Sequence, residues 1–388
     1  MRFLRVAAIV LAITLGIYLA ADIAFAVLYP RFAGQPSYDR TSVPALAQEA
    51  YASPAFLKER GEEPGDWLQI PWQQLLSPTE YHGTYFNVDR LPPTGNLYRR
   101  TINPPAPSRP VLTVLLLGGS TVYGPESPDG ETIASYLSTR LNALDPGHSY
   151  VVFNAGVMAA DSSQDRDRLS YELARGLKPD IVIACDGQLD ILYGIYQGAP
   201  GTGPLLNAHS GVRGLIREYL PTHIIRWIRL RANQRAEQQR AKVAPAHLAD
   251  PAAVERLIGR TAKLYRDNHR TMGDKAAAAG ARFISVLAPS PYSSSFDHPT
   301  ADIAYARDNA EVETPGVGTV EAPGQKALSG ALDELRASGR ETLDLSGAFQ
   351  DKTADVYVDV SHLNGTGNRI VAEKIAAAVL RTASSSNP

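Results

Sequence analysis

From Arg109 onward, short apolar runs alternate with longer stretches whose apolar residues recur at helical spacing, and no other feature limits the possible folds as much. RPVLTVLLL reads as a buried strand and ETIASYLSTRLNAL as a helix with one apolar face. SYVVFNAG (strand), QDRDRLSYELARGL (helix) and PDIVIAC (strand) repeat the unit. Then follow AVERLIGRTAKLYRDNHRTMGDKAAAAG (helix), ARFISVLAP (strand), PGQKALSGALDELRASG (helix), ETLDLSG (strand) and NRIVAEKIAAAVL (helix). That order predicts an α/β fold, a largely parallel sheet covered by helices on both faces, with ligands outside the carboxyl ends of the strands.

The chain before Arg109 is of a different kind. Arg2 and Arg5 precede an apolar run from Val6 to Tyr29 in which Asp22 is the only charge. A bilayer core is crossed by about 20 such residues. Residues 1–29 are therefore expected to be an N-terminal transmembrane helix, or alternatively a signal peptide cut after Ala24-Phe25-Ala26. The leading arginines favour a cytoplasmic N-terminus, which places the C-terminal domain outside the cytoplasm, in the periplasm or at the cell surface. Residues 30–108, rich in Pro, Tyr and Gly with turn signals such as PPTG and NPPAP, are expected to be a juxtamembrane segment laid against a main domain of 109–388.

Inside the main domain the alternation is interrupted at about 195–250, first by GAPGTGP and then by a strongly basic stretch. Arg213, Arg217, Arg226, Arg229, Arg231, Arg235, Arg240 and Lys242 stand there against only Glu218 and Glu237, and Pro221 should break or kink the helix. Two readings remain open. The insertion is a cap over a site or a surface for anionic lipid, glycan or an envelope protein partner, or it is a solvated helix with an ordinary apolar face. The whole chain, with net charge -2, has no global attraction for nucleic acid. The single cysteine, Cys185, excludes an internal disulfide and a Cys-based zinc cluster, and its place at the end of an apolar run predicts an inert buried thiol.

Chemistry is expected where LLLGGSTVYG ends the first strand. Gly118-Gly119 permit a tight turn there and put Ser120 at the crevice. A serine becomes a nucleophile only when a base removes its proton and a third group orients the base. As a phosphate-cradling loop the stretch lacks the necessary lysine. Far along the chain, DVYVDVSHLNGTGNRI places Asp359 and His362 in a loop before the last helix. Three-residue spacing lets the carboxylate fold back to imidazole Nδ1, leaving Nε2 as an acceptor for a serine proton. No second cluster of matching spacing suggests a metal.

Ser120 early, Asp-x-x-His late and the strand–helix repeat between them resemble the SGNH/GDSL hydrolase family of serine esterases and acyl-handling enzymes, over roughly residues 110–383. Gly118-Gly119-Ser120-Thr121 and the preceding YFNVDRLPPTGNLYRRT look like a membrane-anchored branch of it. The resemblance implies a flavodoxin-like three-layer α/β/α fold, with Ser120 as nucleophile, His362 as base and Asp359 as its orienter, and no metal or organic cofactor. It implies an esterase that removes small acyl groups, with acylated cell-surface glycan or a small ester as substrate. An acyltransferase with the same triad and a non-catalytic glycan-binding or scaffolding domain are the alternatives. The oxyanion residues depart from the family pattern. Where a glycine is usual after Asn154 the chain has Ala159, and where an asparagine amide is usual it has Leu189, with Gln188 beside it as a substitute donor.

Overall fold

A run with apolar side chains on both sides of its backbone must be buried on both sides. In the computed structural model, which describes residues 2–32, 55–56, 59, 68–70, 75–105, 109–201, 243–293, 300–350 and 354–381, each run after Arg109 is a strand of one sheet. In chain order the elements are α1 (Arg2–Phe32), β1 (Leu68–Ile70), β2 (Leu75–Ser77), β3 (Tyr81–His82), β4 (Asn87–Leu91), β5 (Asn96–Arg99), β6 (Val111–Gly118), α2 (Ser120–Tyr123) and α3 (Ile133–Leu144). They continue with β7 (Ser149–Asn154), α4 (Ser162–Ala174), β8 (Ile181–Asp186), α5 (Gln188–Ile191), α6 (Pro251–Ala278), β9 (Arg282–Leu287), α7 (Ala301–Glu313), α8 (Gly318–Ala337), β10 (Glu341–Asp344) and α9 (Gly365–Arg381).

The sheet runs β10-β9-β8-β6-β7-β5-β4-β3. Its first five members pair in parallel, and counted from β6 their order is 2-1-3-4-5, the flavodoxin-like arrangement. The connections reverse direction between β6 and β8, which opens a crevice at the carboxyl ends of those two strands. Alternation along β6 sorts the core into layers. Val114 and Leu116 join a cluster with Leu137 of α3 and Val371 and Ile375 of α9, whereas Leu115 and Leu117 join Leu169 of α4 and Met272 of α6. This is the expected α/β/α sandwich. Cys185 is buried, and burial, followed by the nearby Asp186 and Asp165 charges, pushes its thiol up.

One feature extends the sequence reading and a second departs from it. Residues 81–99 contribute three strands to the main sheet, antiparallel to it and to each other, so part of the 30–108 segment extends the sheet beyond β7. The joint is Arg99, fully buried, whose guanidinium pairs with Asp129 and donates to the carbonyls of Asn87 and Ser127. Second, residues 6–29 lie within the continuous helix α1, yet among the described residues no helix is long and apolar enough to cross a membrane. The carboxylate of Asp22 interrupts the apolar run, and a charge in hydrocarbon is costly. The chain divides into two units, Met1–Ser42 with Ala208–Lys242 and Val43–Asn207 with Val243–Pro388. The basic residues 213–242 of the insertion lie outside the described residues.

Candidate active site

Gly118 ends β6 with φ 155, and a Cβ there would collide with the Cys185 carbonyl of the neighbouring strand, so only glycine lets the two strand ends close. Ser120 then opens α2 at the crevice between β6 and β8, 7% exposed. The turn is held from the end of β7. Asn154, fully buried, donates from Nδ2 to the Val122 carbonyl (2.9 Å) and accepts the Gly156 N–H (3.0 Å), and the Val157 N–H donates to the Gly118 carbonyl (2.9 Å).

The second half of the site is a closed loop. The Val358 N–H donates to the His362 carbonyl (2.9 Å), the Asn364 N–H to the Val356 carbonyl (3.0 Å), and Asp302 of α7 accepts the N–H groups of Val356 and Tyr357 (2.7 and 2.8 Å). Inside it, Asp359 Oδ1 accepts the N–H groups of Ser361 and His362 (both 2.8 Å), while Oδ2 lies 2.7 Å from His362 Nδ1. The carboxylate is thus fixed before it meets the imidazole, and a proton on Nδ1 makes Nε2 the basic nitrogen. Thr121 Oγ1 donates to the Ser361 carbonyl (2.8 Å), joining the residue after the serine to the residue before the histidine. That bond ties the turn that bears Ser120 to the loop that bears His362.

The oxyanion candidates separate. Ala159 is the one non-glycine residue with positive φ (61°) among the described residues, a conformation that costs an alanine roughly 1–2 kcal/mol. Tyr193 Oη donates to the Ala159 carbonyl at 3.3 Å. Among the described residues neither the Ser120 nor the Ala159 N–H has an acceptor, which leaves both available to a developing oxyanion. Gln188 is used otherwise. Its Nε2 donates to the Val360 carbonyl at 2.6 Å, so the side chain braces the histidine loop. Leu189 lies over Gly119, its Cδ1 3.2 Å from where a Cβ on that glycine would stand, and supplies no donor.

Beneath this surface is a buried acidic layer. Asp161 caps α4 through the N–H groups of Ser163 and Gln164, Asp190 accepts the Ser162 hydroxyl (2.5 Å), and Asp186 at the end of β8 meets His269 of α6 (2.9 Å). Burial first, then the Asp186 charge, drives the Asp165 carboxyl well above the usual range; for Asp190 burial is followed by Asp161. Burial pushes Asp161 up to about 6 against the N–H bonds that pull it down. The i,i+4 spacing of Asp161 with Asp165 and of Asp186 with Asp190, next to strand and helix ends, is the signal that could have found this layer. Among the described residues, the one group of three placed closely enough to hold a cation is Glu126, Asp359 and His362, all at the seam itself. Glu126 carries no signal in the sequence.

No family model and no curated protein matches the chain. Solved structures similar to it include Est24, a carbohydrate acetylesterase from Sinorhizobium meliloti, at 15% identity over 70% of this chain and 99% of that one (TM-score 0.39). A member of the lipolytic protein G-D-S-L family from Veillonella parvula matches at 10% identity over 70% and 99% (TM-score 0.39). The esterase EstA from Pseudoalteromonas, solved with monoethylphosphonate as inhibitor, matches at 12% over 70% and 98% (TM-score 0.37).

Proposed function

We propose that the protein is a serine ester hydrolase that removes small acyl groups, with acylated cell-surface glycan as its substrate class. One observation carries this reading. The Asp359–His362 pair is locked in a closed loop and stitched through Thr121 and Ser361 to the turn that bears Ser120. In the reaction, Ser120 Oγ attacks the ester carbonyl while His362 Nε2 takes its proton and Asp359 stabilises the imidazolium. The carbonyl oxygen, now anionic, meets the Ser120 and Ala159 N–H groups. Collapse returns the proton to the departing alcohol and leaves an acyl-serine, which water resolves; a sugar hydroxyl in place of water would make the enzyme a transferase.

The location outside the cytoplasm belongs to the same proposal. It rests on Arg2 and Arg5 ahead of an apolar run that closes on Ala24-Phe25-Ala26, the layout of an export signal, and on exposed apolar side chains of α1 such as Val6, Ile13, Ile17 and Ile23, each at least 57% exposed and suited to a lipid surface. Carbonate extraction of native membranes tests it: a chain recovered intact in the pellet supports attachment, and a soluble chain beginning at Val27 shows cleavage. Leu189, seated where an amide is expected, favours one rival, a non-catalytic domain of the same fold that binds glycan. Turnover of a short-chain p-nitrophenyl ester by wild type, lost in Ser120→Ala, decides for the enzyme; inert wild type with measurable glycan binding decides for the rival.

A further inference from the structure

The loop after α2 brings a third ionisable group to the site. Gly124, with φ 70, reverses the chain after Tyr123 and packs against Thr132, where a Cβ would stand 3.0 Å from Cγ2. Two residues later Glu126 is 5% exposed. One oxygen of its carboxylate, a ring nitrogen of His362 and a carboxylate oxygen of Asp359 all lie within 4.8 Å of one another. The approach is built from both flanks. Thr121 Oγ1 donates to the Ser361 carbonyl (2.8 Å), and Asn368 Nδ2 donates to Ser127 Oγ and to the Glu131 carbonyl (2.9 Å each). Residues 121–131 therefore run along residues 359–368 as one seam with Glu126 inside it.

The division of labour follows from the hydrogen bonds. Asp359 uses one oxygen for two backbone N–H groups and the other for Nδ1, so it sets the ring's orientation and tautomer. What Glu126 adds is a second carboxyl close to the ring. A carboxylate within about 4–6 Å of an imidazole favours its protonated form, and burial weakens the screening that water would supply. The other charged groups along the seam are Asp129, paired with Arg99; Glu131, packed on Gly365; and Arg369 of α9, which pairs with Glu373 at 3.3 Å.

We propose that Glu126 is a positioning residue of the catalytic centre, a second carboxylate that raises the basicity of His362 and stabilises the imidazolium formed as Ser120 loses its proton. Its catalytic consequence rests on the ester-hydrolase reading; its effect on the imidazole does not. Titration of the His362 ring by NMR on the full chain, assigned by the resonance lost in His362→Gln, therefore reads the proposal without substrate. In Glu126→Gln the His362 midpoint falls by about one pH unit, and Glu126→Asp restores part of it. The acid limb of kcat/KM for a short-chain ester moves down in parallel, and kcat falls about tenfold with KM unchanged. An unmoved His362 midpoint in Glu126→Gln overturns the assignment. Should that variant not fold, Asp359→Asn carries the test: a midpoint still above about 6.5 supports a second carboxylate, and one at or below it refutes it. A shifted midpoint in a protein with no ester turnover sinks the hydrolase reading and leaves the Glu126 assignment standing.

Discussion

The molecule contains two histidine–aspartate pairs that are alike in their bond and opposite in their setting. Asp359 and His362 meet at 2.7 Å on one loop, with side chains 24% and 11% exposed, at the open end of the sheet. Asp186 and His269 meet at 2.9 Å with side chains 2% and 0% exposed, between the end of β8 and the middle of α6. The Tyr265 ring lies 4.2 Å from the His269 ring, closing that side. The first pair is fixed by backbone N–H groups and joined through Thr121 and Ser361 to the turn that bears Ser120; the second is enclosed by carboxyls whose pKa burial raises well above the usual range. Under the proposed mechanism a His–Asp pair serves as a base only where a reacting atom can reach it. Enclosed, the same pair ties β8 to α6 under the site.

The comparison breaks if the two pairs respond alike. His362→Ala should lower ester turnover by about 10⁴-fold or more and leave the urea midpoint nearly unchanged. His269→Ala should do the reverse, costing about 3–5 kcal/mol by leaving Asp186 buried without its partner, while folded molecules keep their turnover. Equilibrium unfolding and active-site-normalised kinetics on both variants check this. Equal loss of turnover per folded molecule in both would mean that the buried pair takes part in chemistry.

A smaller effect sharpens the account of the open pair. Leu189→Asn introduces an amide beside Gly119 and should raise ester turnover by about tenfold, less than a full oxyanion donor because no surrounding shell holds that amide. Steady-state kinetics read it, and a decrease would show that Leu189 itself shapes the acyl site.

The smallest effect concerns the enclosed carboxyls and pH. Burial pushes Asp161 up to about 6 and Glu321 of α8 up to about 8. A carboxyl whose folded value lies above its unfolded value binds more protons when folded, so its stabilisation is complete below about pH 4 and is lost as pH rises through 6 and then 8. The urea midpoint should therefore fall between pH 5 and 8, and Glu321→Gln should flatten the upper part of that fall. A midpoint that rises over the same range contradicts the protonated reading.

The parallel core was legible because its central strands, β6 and β8, are dominated by apolar residues, and the DVSH loop because its two chemical groups sit three residues apart. The outer strands were not. β3 to β5 hold two to five residues each, and their buried positions include Asn87, Asn96 and Arg99, so pairing with β7 and the Asp129 ion pair decide them, not local pattern. Helix α7, ADIAYARDNAEVE, lacks a clear apolar stripe, yet its Asp302 anchors the start of the histidine loop. Gln188 shows a related limit of local pattern. Position in sequence places it beside the oxyanion site, but its amide goes to Val360, a partner 172 residues away.

The central claim, that Ser120 is activated by the open pair and not by the enclosed one, is met most directly by labelling the full chain with a serine-directed phosphonate and mapping the adduct. Modification of Ser120 that is lost in His362→Ala and kept in folded His269→Ala is the predicted result. An unmodified Ser120 in wild type, or labelling that survives His362→Ala undiminished, would contradict it.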